Sequence, residues 1–132
     1  MIFVDTSFWV ALHNRRDGRH AEARALLMAH GDTTQVTTNH VQGETWTFLR
    51  RRAGYADAVR FIDALATSPR TRVIHVGSEV EHLAFDWLRA RGEREYSFVD
   101  ATSFAVMRAE RITRALAFDG DFSAAGFEEL RA

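Results

Sequence analysis

The sequence contains no cysteine, no lysine and a single proline, and no apolar run approaches the roughly 18 residues of a membrane span. Without cysteine, neither a disulfide framework nor a thiolate-bound zinc site is possible. Without lysine, all 17 basic residues are arginine, which excludes reactions that need an ammonium beside a phosphoryl group. Met1 leads directly into apolar residues, with no basic leader and no small-residue cleavage site behind it. A soluble, cytoplasmic protein with no membrane association is therefore expected. The formal net charge is −1, unlike the strongly basic balance common among nucleic-acid binders.

What is present reads as one domain over residues 1–132. There is no repeat, low-complexity tract or linker, and the apolar share of 46% with 27% charged residues is that of an ordinary globular chain. Ile2 to Asp5 is a short apolar run meeting Thr6 and Ser7, which start helices well. Helices are expected over 8–13, 21–30, 41–52, 56–66, 79–91 and 98–111. Strands are expected over 2–5, 35–38, 72–76 and 113–118, with Pro69 as a stop before the third. The 79–91 segment carries Val80, Leu83, Ala84, Trp87 and Leu88 at helical spacing, a stripe expected to face the core. Short strands alternating with helices predict an α/β fold, a three-layer α/β/α sandwich around a mostly parallel sheet.

Four carboxylates are placed unusually. In parallel α/β sheets, ligands bind outside the carboxyl ends of the strands. Asp5 ends the first strand and Asp119 the fourth, while Glu44 and Asp100 lie near the starts of helices that begin on the same rim. Glu44 shares a helix face with Val41 and Phe48, and Asp100 with Phe104 and Met107, so both are expected on faces that pack on the sheet. A carboxylate there must be protonated, paired or bound to a cation. With no lysine or histidine beside them, gathered acids call for a divalent ion, and oxygen ligands suit Mg²⁺ or Mn²⁺. Local readings stand beside this one. Asp5 also reads as a helix cap, Asp100 as the last member of a capping box with Ser97, and Asp119-Gly120-Asp121 as a turn. Glu44 has the weakest local alternative.

These residues bring a family into view. Val4-Asp5-Thr6-Ser7, Glu44, the run Phe98-Val99-Asp100-Ala101-Thr102-Ser103-Phe104 and the segment Ala117-Phe118-Asp119-Gly120-Asp121-Phe122 resemble a PIN domain, more narrowly the VapC-type toxins of bacterial toxin–antitoxin pairs. The resemblance covers nearly the whole chain. It implies an endoribonuclease dependent on Mg²⁺ or Mn²⁺, acting on an RNA substrate, forming a homodimer and inhibited by a small cognate antitoxin. Carried over, it makes Asp5, Asp100 and Asp119 metal ligands, with Glu44 completing the catalytic acids. Asp121 matches a position acidic only in some relatives, and Thr6 is placed to bond a ligand carboxylate or a metal-bound water.

RNA phosphates need positive charge nearby. Arg50-Arg51-Arg52 and the group Arg89, Arg91 and Arg94 are the candidates, although arginines at helix ends also complement the helix dipole. His13, His20 and His30 are expected on the surface, and Trp9, Trp46 and Trp87 in the core or an interface. Two other readings remain open from the residues: a structure-specific DNA nuclease of the wider PIN-like group, and a non-catalytic interaction module whose acids are caps and solvated charges.

Overall fold

The computed structural model describes residues 1–132. Five strands, β1 (Ile2–Val4), β2 (Gln35–Thr38), β3 (Thr71–Ile74), β4 (Arg114–Leu116) and β5 (Glu128–Glu129), form one sheet in the order β3-β2-β1-β4-β5. Every pairing is parallel, so the sheet is wholly rather than mostly parallel. Seven helices connect them: α1 (Thr6–His13), α2 (His20–Ala29), α3 (Asn39–Arg52), α4 (Tyr55–Thr67), α5 (Ser78–Arg89), α6 (Phe98–Ala109) and α7 (Asp121–Ala124). The result is the expected α/β/α sandwich. A parallel sheet buried on both faces needs apolar strands on both sides of the pleat, and Ile2, Phe3 and Val4 are all fully buried.

Two aromatic clusters fill the space around the sheet. Phe104 of α6 packs edge-on against Phe122 at 4.9 Å and beside Phe127 at 5.5 Å, and Phe122 lies over Phe3 at 5.9 Å. On α1, Phe8 meets Trp9, and Trp9 meets Phe61 of α4 at 5.7 Å. Asp100, Phe104 and Met107 are buried together, as their spacing on α6 requires.

Three expectations about faces need correction. On α3 the buried residues are Val41, Thr45 and Leu49, a stripe rotated away from Glu44, which is half-buried at its flank. On α5 only Ala84 is buried, and Leu83 stands 61% exposed, because this helix packs mainly on α6 at the edge of the molecule. His13 is half-buried between Trp9 and Phe61, at ring distances of 6.2 and 5.4 Å, and burial pushes its pKa below the usual histidine value.

The strand order places the site. Connections leave β1 toward β2 and β4 toward β5, so the sheet reverses its winding between β1 and β4. Right-handed crossovers then carry the chain to opposite faces at neighbouring strand ends, which opens a crevice there.

Candidate metal centre

That crevice is where Asp5 and Asp119 arrive. The Asp5 N–H donates to the Leu116 carbonyl at 3.0 Å, extending the β1–β4 pairing one step past Val4. Ser7 ties the two strand ends together: its hydroxyl donates to Asp5 Oδ2 at 2.8 Å and accepts the Phe118 N–H at 2.9 Å.

The local readings of three acids are all realised. Asp5 caps α1, with Oδ2 accepting the Ser7 N–H at 3.2 Å. Asp100 and Ser97 form the capping box, each side chain accepting the other's N–H at 3.0 Å. Asp119 Oδ1 accepts the Asp121 N–H at 3.1 Å across the turn. Each of these tasks engages one carboxylate oxygen, and the other oxygen of all three acids has no hydrogen-bond partner in the protein. Capping therefore aims these side chains without using them up.

The four predicted acids line one cleft of about 470 Å³, together with Asp121, Asp17 and Glu95. Within it, Asp100, Asp119 and Asp121 offer oxygens that lie within 4.8 Å of one another. Asp5 stands beside this group and feels the charges of Asp119 and Asp100. Glu44 lines the same cleft from α3 but lies outside the tight set. Asp121, which the sequence leaves doubtful, belongs to it, and its Oδ1 is paired with Arg94 Nε at 2.8 Å. The Asp-Gly-Asp spacing was its only signal in the sequence. Asp17 and Glu95 gave no signal at all.

Burial and mutual repulsion load this site electrostatically. Asp5, 2% exposed, has its pKa raised well above the ordinary value by burial and the charge of Asp119, against the pull of the Ser7 bond. Burial raises Asp100 to about 7, opposed by the Ser97 N–H and assisted by Asp121 and Asp119. Asp119 faces solvent across the cleft, yet the surrounding protein still raises its pKa, with Asp121 and Glu129 adding repulsion against the Asp121 N–H. The Thr6 hydroxyl, 3% exposed at the cleft wall, has no partner. Crowded carboxylates with an unused oxygen each, beside an orphaned hydroxyl, suit a divalent cation that takes oxygen ligands.

The arginines divide differently from their grouping in sequence. Arg52 and Arg19 line the cleft, their guanidinium groups over the rings of Phe48 at 4.8 Å and Phe118 at 5.0 Å. Arg94 is engaged by Asp121, and Arg91 stacks on Trp87 at 4.3 Å. Arg19 was not anticipated, because nothing in the sequence places it near strand ends.

A wholly parallel sheet with acids gathered at the β1–β4 switch point defines a class: the PIN domain model matches residues 2–128, and the chain belongs to that family. Within it the chain is of the VapC type. It is 56% identical over 131 residues to the 23S rRNA-specific endonuclease VapC20 of Mycobacterium tuberculosis, in strains CDC 1551 / Oshkosh and ATCC 25618 / H37Rv, covering 99% of this chain and 98% of the relative. The crystal structure of Mycobacterium tuberculosis VapC20, described as a Sarcin-Ricin loop cleaving toxin, superposes with a TM-score of 0.94 at 55% identity, covering all of both chains.

Proposed function

We propose that this chain is the toxin of a toxin–antitoxin pair, an endoribonuclease dependent on Mg²⁺, with Mn²⁺ as a substitute, that cuts 23S ribosomal RNA in the sarcin–ricin loop. The whole chain acts as one nuclease domain. The observation that carries the reading is the meeting of Asp100, Asp119 and Asp121 oxygens within 4.8 Å, beside buried Asp5, at a switch-point crevice. The 56% identity to a 23S rRNA-specific endonuclease over nearly the full chain supports the substrate.

Asp5, Asp100 and Asp119 would hold the cation through the oxygens their caps leave unused, and Asp121 is a further donor. Glu44 completes the acidic wall from α3. A divalent ion bound there supplies positive charge for a phosphodiester and lowers the pKa of water. The side chains themselves fix geometry: the Ser7 bridge and the Ser97 box hold Asp5 and Asp100 in place before substrate arrives. Arg52 and Arg19 supply the cationic contacts that a net-negative cleft needs to admit a polyanion. The cleft hydroxyl bonded to a carboxylate, that of Ser7 on Asp5, also accepts the Phe118 N–H and is held between the strand ends, so water is the attacking group in this reading. Hydrolysis of this kind leaves 5′-phosphate and 3′-hydroxyl ends and does not require the 2′-hydroxyl.

A small antitoxin covering the cleft and a homodimer are the partners that accompany this reading. No helix is long and apolar enough to cross a membrane, in keeping with the proposed cytoplasmic site of action.

The test is digestion of a sarcin–ricin loop oligonucleotide, a copy with deoxyribose at the scissile position, duplex DNA and flap DNA. Metal-dependent cutting of both loop substrates, lost in Asp5→Asn and in EDTA, is expected. Cleavage that survives EDTA, or a deoxy substrate left intact, overturns the mechanism; preferential cutting of flap DNA favours the DNA-nuclease alternative.

A further inference from the structure

The turn that carries Asp119 and Asp121 is closed by the Asp121 N–H on Asp119 Oδ1 and tied on its outer side by Arg94 to Asp121. Gly120 sits in the left-handed region at φ 82°, and α7 behind it has 4 residues, too few to sustain a helix unaided. The turn is also held from the last strand. Glu129 lies in β5 alongside Ala115 of β4, and its side chain is only 2% exposed although Asp119 and Asp121 nearby carry the same charge.

Its carboxylate reaches back to the turn. Oε1 accepts the Gly120 N–H at 3.3 Å and Oε2 accepts the Ser123 N–H at 2.9 Å. Arg131 completes the clamp: Nη2 donates to Glu129 Oε1 at 2.9 Å, and Nη1 donates to the Ala117 carbonyl at 2.8 Å. The turn is thus gripped before it begins, at Ala117, and after it, at Ser123. Strand pairing does not need this carboxylate. The Glu128 and Leu130 N–H groups donate to the Thr113 and Ala115 carbonyls, bonds that any side chain at position 129 allows. A buried carboxylate costs stability that an apolar side chain would not, so its presence is explained by what it holds.

We infer that Glu129, clamped by Arg131, is a positioning residue of the acidic centre, fixing the turn so that Asp119 and Asp121 meet Asp100. The inference rests on the metal-dependent reading above. Groups that orient metal ligands from behind typically change affinity or activity about 10- to 100-fold when removed, and Glu129 holds the backbone of the turn that carries two candidate ligands.

The experiment compares wild type with Glu129→Ala, Glu129→Gln and Arg131→Ala. Three readouts are used: amide hydrogen exchange at Gly120 and Ser123 without metal, Mn²⁺ affinity by calorimetry, and cleavage kinetics at saturating Mn²⁺. In Glu129→Ala, exchange at both amides is expected to accelerate, Mn²⁺ affinity to fall about tenfold or more, and kcat to drop while KM for RNA stays within about twofold, since Arg52 at the end of α3 lies away from the turn. Glu129→Gln, which keeps one acceptor oxygen, should recover part of the affinity. A folded Glu129→Ala protein with wild-type Mn²⁺ affinity overturns the inference, whatever its exchange rates. Should that variant fail to fold, Glu129→Gln decides on the same readouts: weakened affinity supports the inference and unchanged affinity ends it. Wild-type protein that binds Mn²⁺ but cuts no RNA overturns the nuclease reading alone. Wild-type protein that cuts RNA, beside a Glu129→Ala variant of equal Mn²⁺ affinity, overturns the positioning role alone.

Discussion

Replacing Asp100 with Asn should make the metal-free protein more stable at pH 8 while abolishing cleavage. Asp100 is 7% exposed, and its pKa rises from 3.8 to about 7 on folding. Because the folded value lies above the unfolded one, protonated Asp100 favours the folded state. Its contribution is complete below the unfolded value near 3.8 and is lost as pH rises through about 7. At about 1.4 kcal/mol per pH unit, the ionised form costs about 4 kcal/mol. Water in the open cleft screens part of this, and about 2 kcal/mol is the working figure. Asparagine keeps an oxygen for the Ser97 N–H, so the cap survives without the charge. For a chain of 132 residues, at about 3–4 °C per kcal/mol, Asp100→Asn should melt about 7 °C above wild type in EDTA at pH 8. The gap should shrink to a small remainder at pH 4, where Asp100 is protonated in the folded state and about half ionised in the unfolded one. Saturating Mg²⁺ should reverse the order, since ligand at 100 times Kd stabilises by about 2.7 kcal/mol and only wild type holds it well. Differential scanning calorimetry at the two pH values, with and without metal, measures all of this. A variant no more stable than wild type at pH 8 in EDTA, or equally stabilised at pH 4, would refute the reasoning.

Three further outcomes follow from named contacts. Ser7→Ala loses the hydroxyl bonded to Asp5 and the acceptor of the Phe118 N–H; it should cost about 1–2 kcal/mol in urea denaturation and weaken Mn²⁺ binding. Arg52→Ala removes an exposed cation at the cleft that lies over Phe48; RNA affinity should fall for all sequences alike and the salt slope drop by about 1 in filter binding, with the cut site unchanged. Gly120→Ala forces an alanine to φ 82° and sets its Cβ 3.3 Å from Arg94 Nη2; a loss of about 1–2 kcal/mol is expected in thermal melts, with metal affinity reduced because both neighbouring acids shift.

Most of the architecture was readable from one dimension, because it follows from local rules. Apolar periodicity separates strands from helices, and the Ser97-Phe98-Val99-Asp100 box marks the start of α6 to the residue. Two elements escaped. The strand β5 is two residues long and the helix α7 four, lengths at which tertiary contacts rather than propensity select the conformation. Helix faces were read less well. Leu83 repeats at core spacing on α5 but points outward, since an edge helix has fewer neighbours than its apolar residues could occupy. Glu44 was assigned to the buried face of α3, whereas the stripe through Val41, Thr45 and Leu49 won, the choice between adjacent stripes being made by the packing of α3 on α1 and α4.

The sequence by itself determined which acids sit at strand ends and helix starts, and which of them could serve as caps, because those bonds join residues two or three apart. Only the tertiary structure decided which acids come closest, admitting Asp121 to the tight set and keeping Glu44 at the rim. It alone brought Glu129 under the turn and Arg19 into the cleft. Distances between residues far apart in sequence are set by the order and crossover of strands, and no local pattern encodes that order.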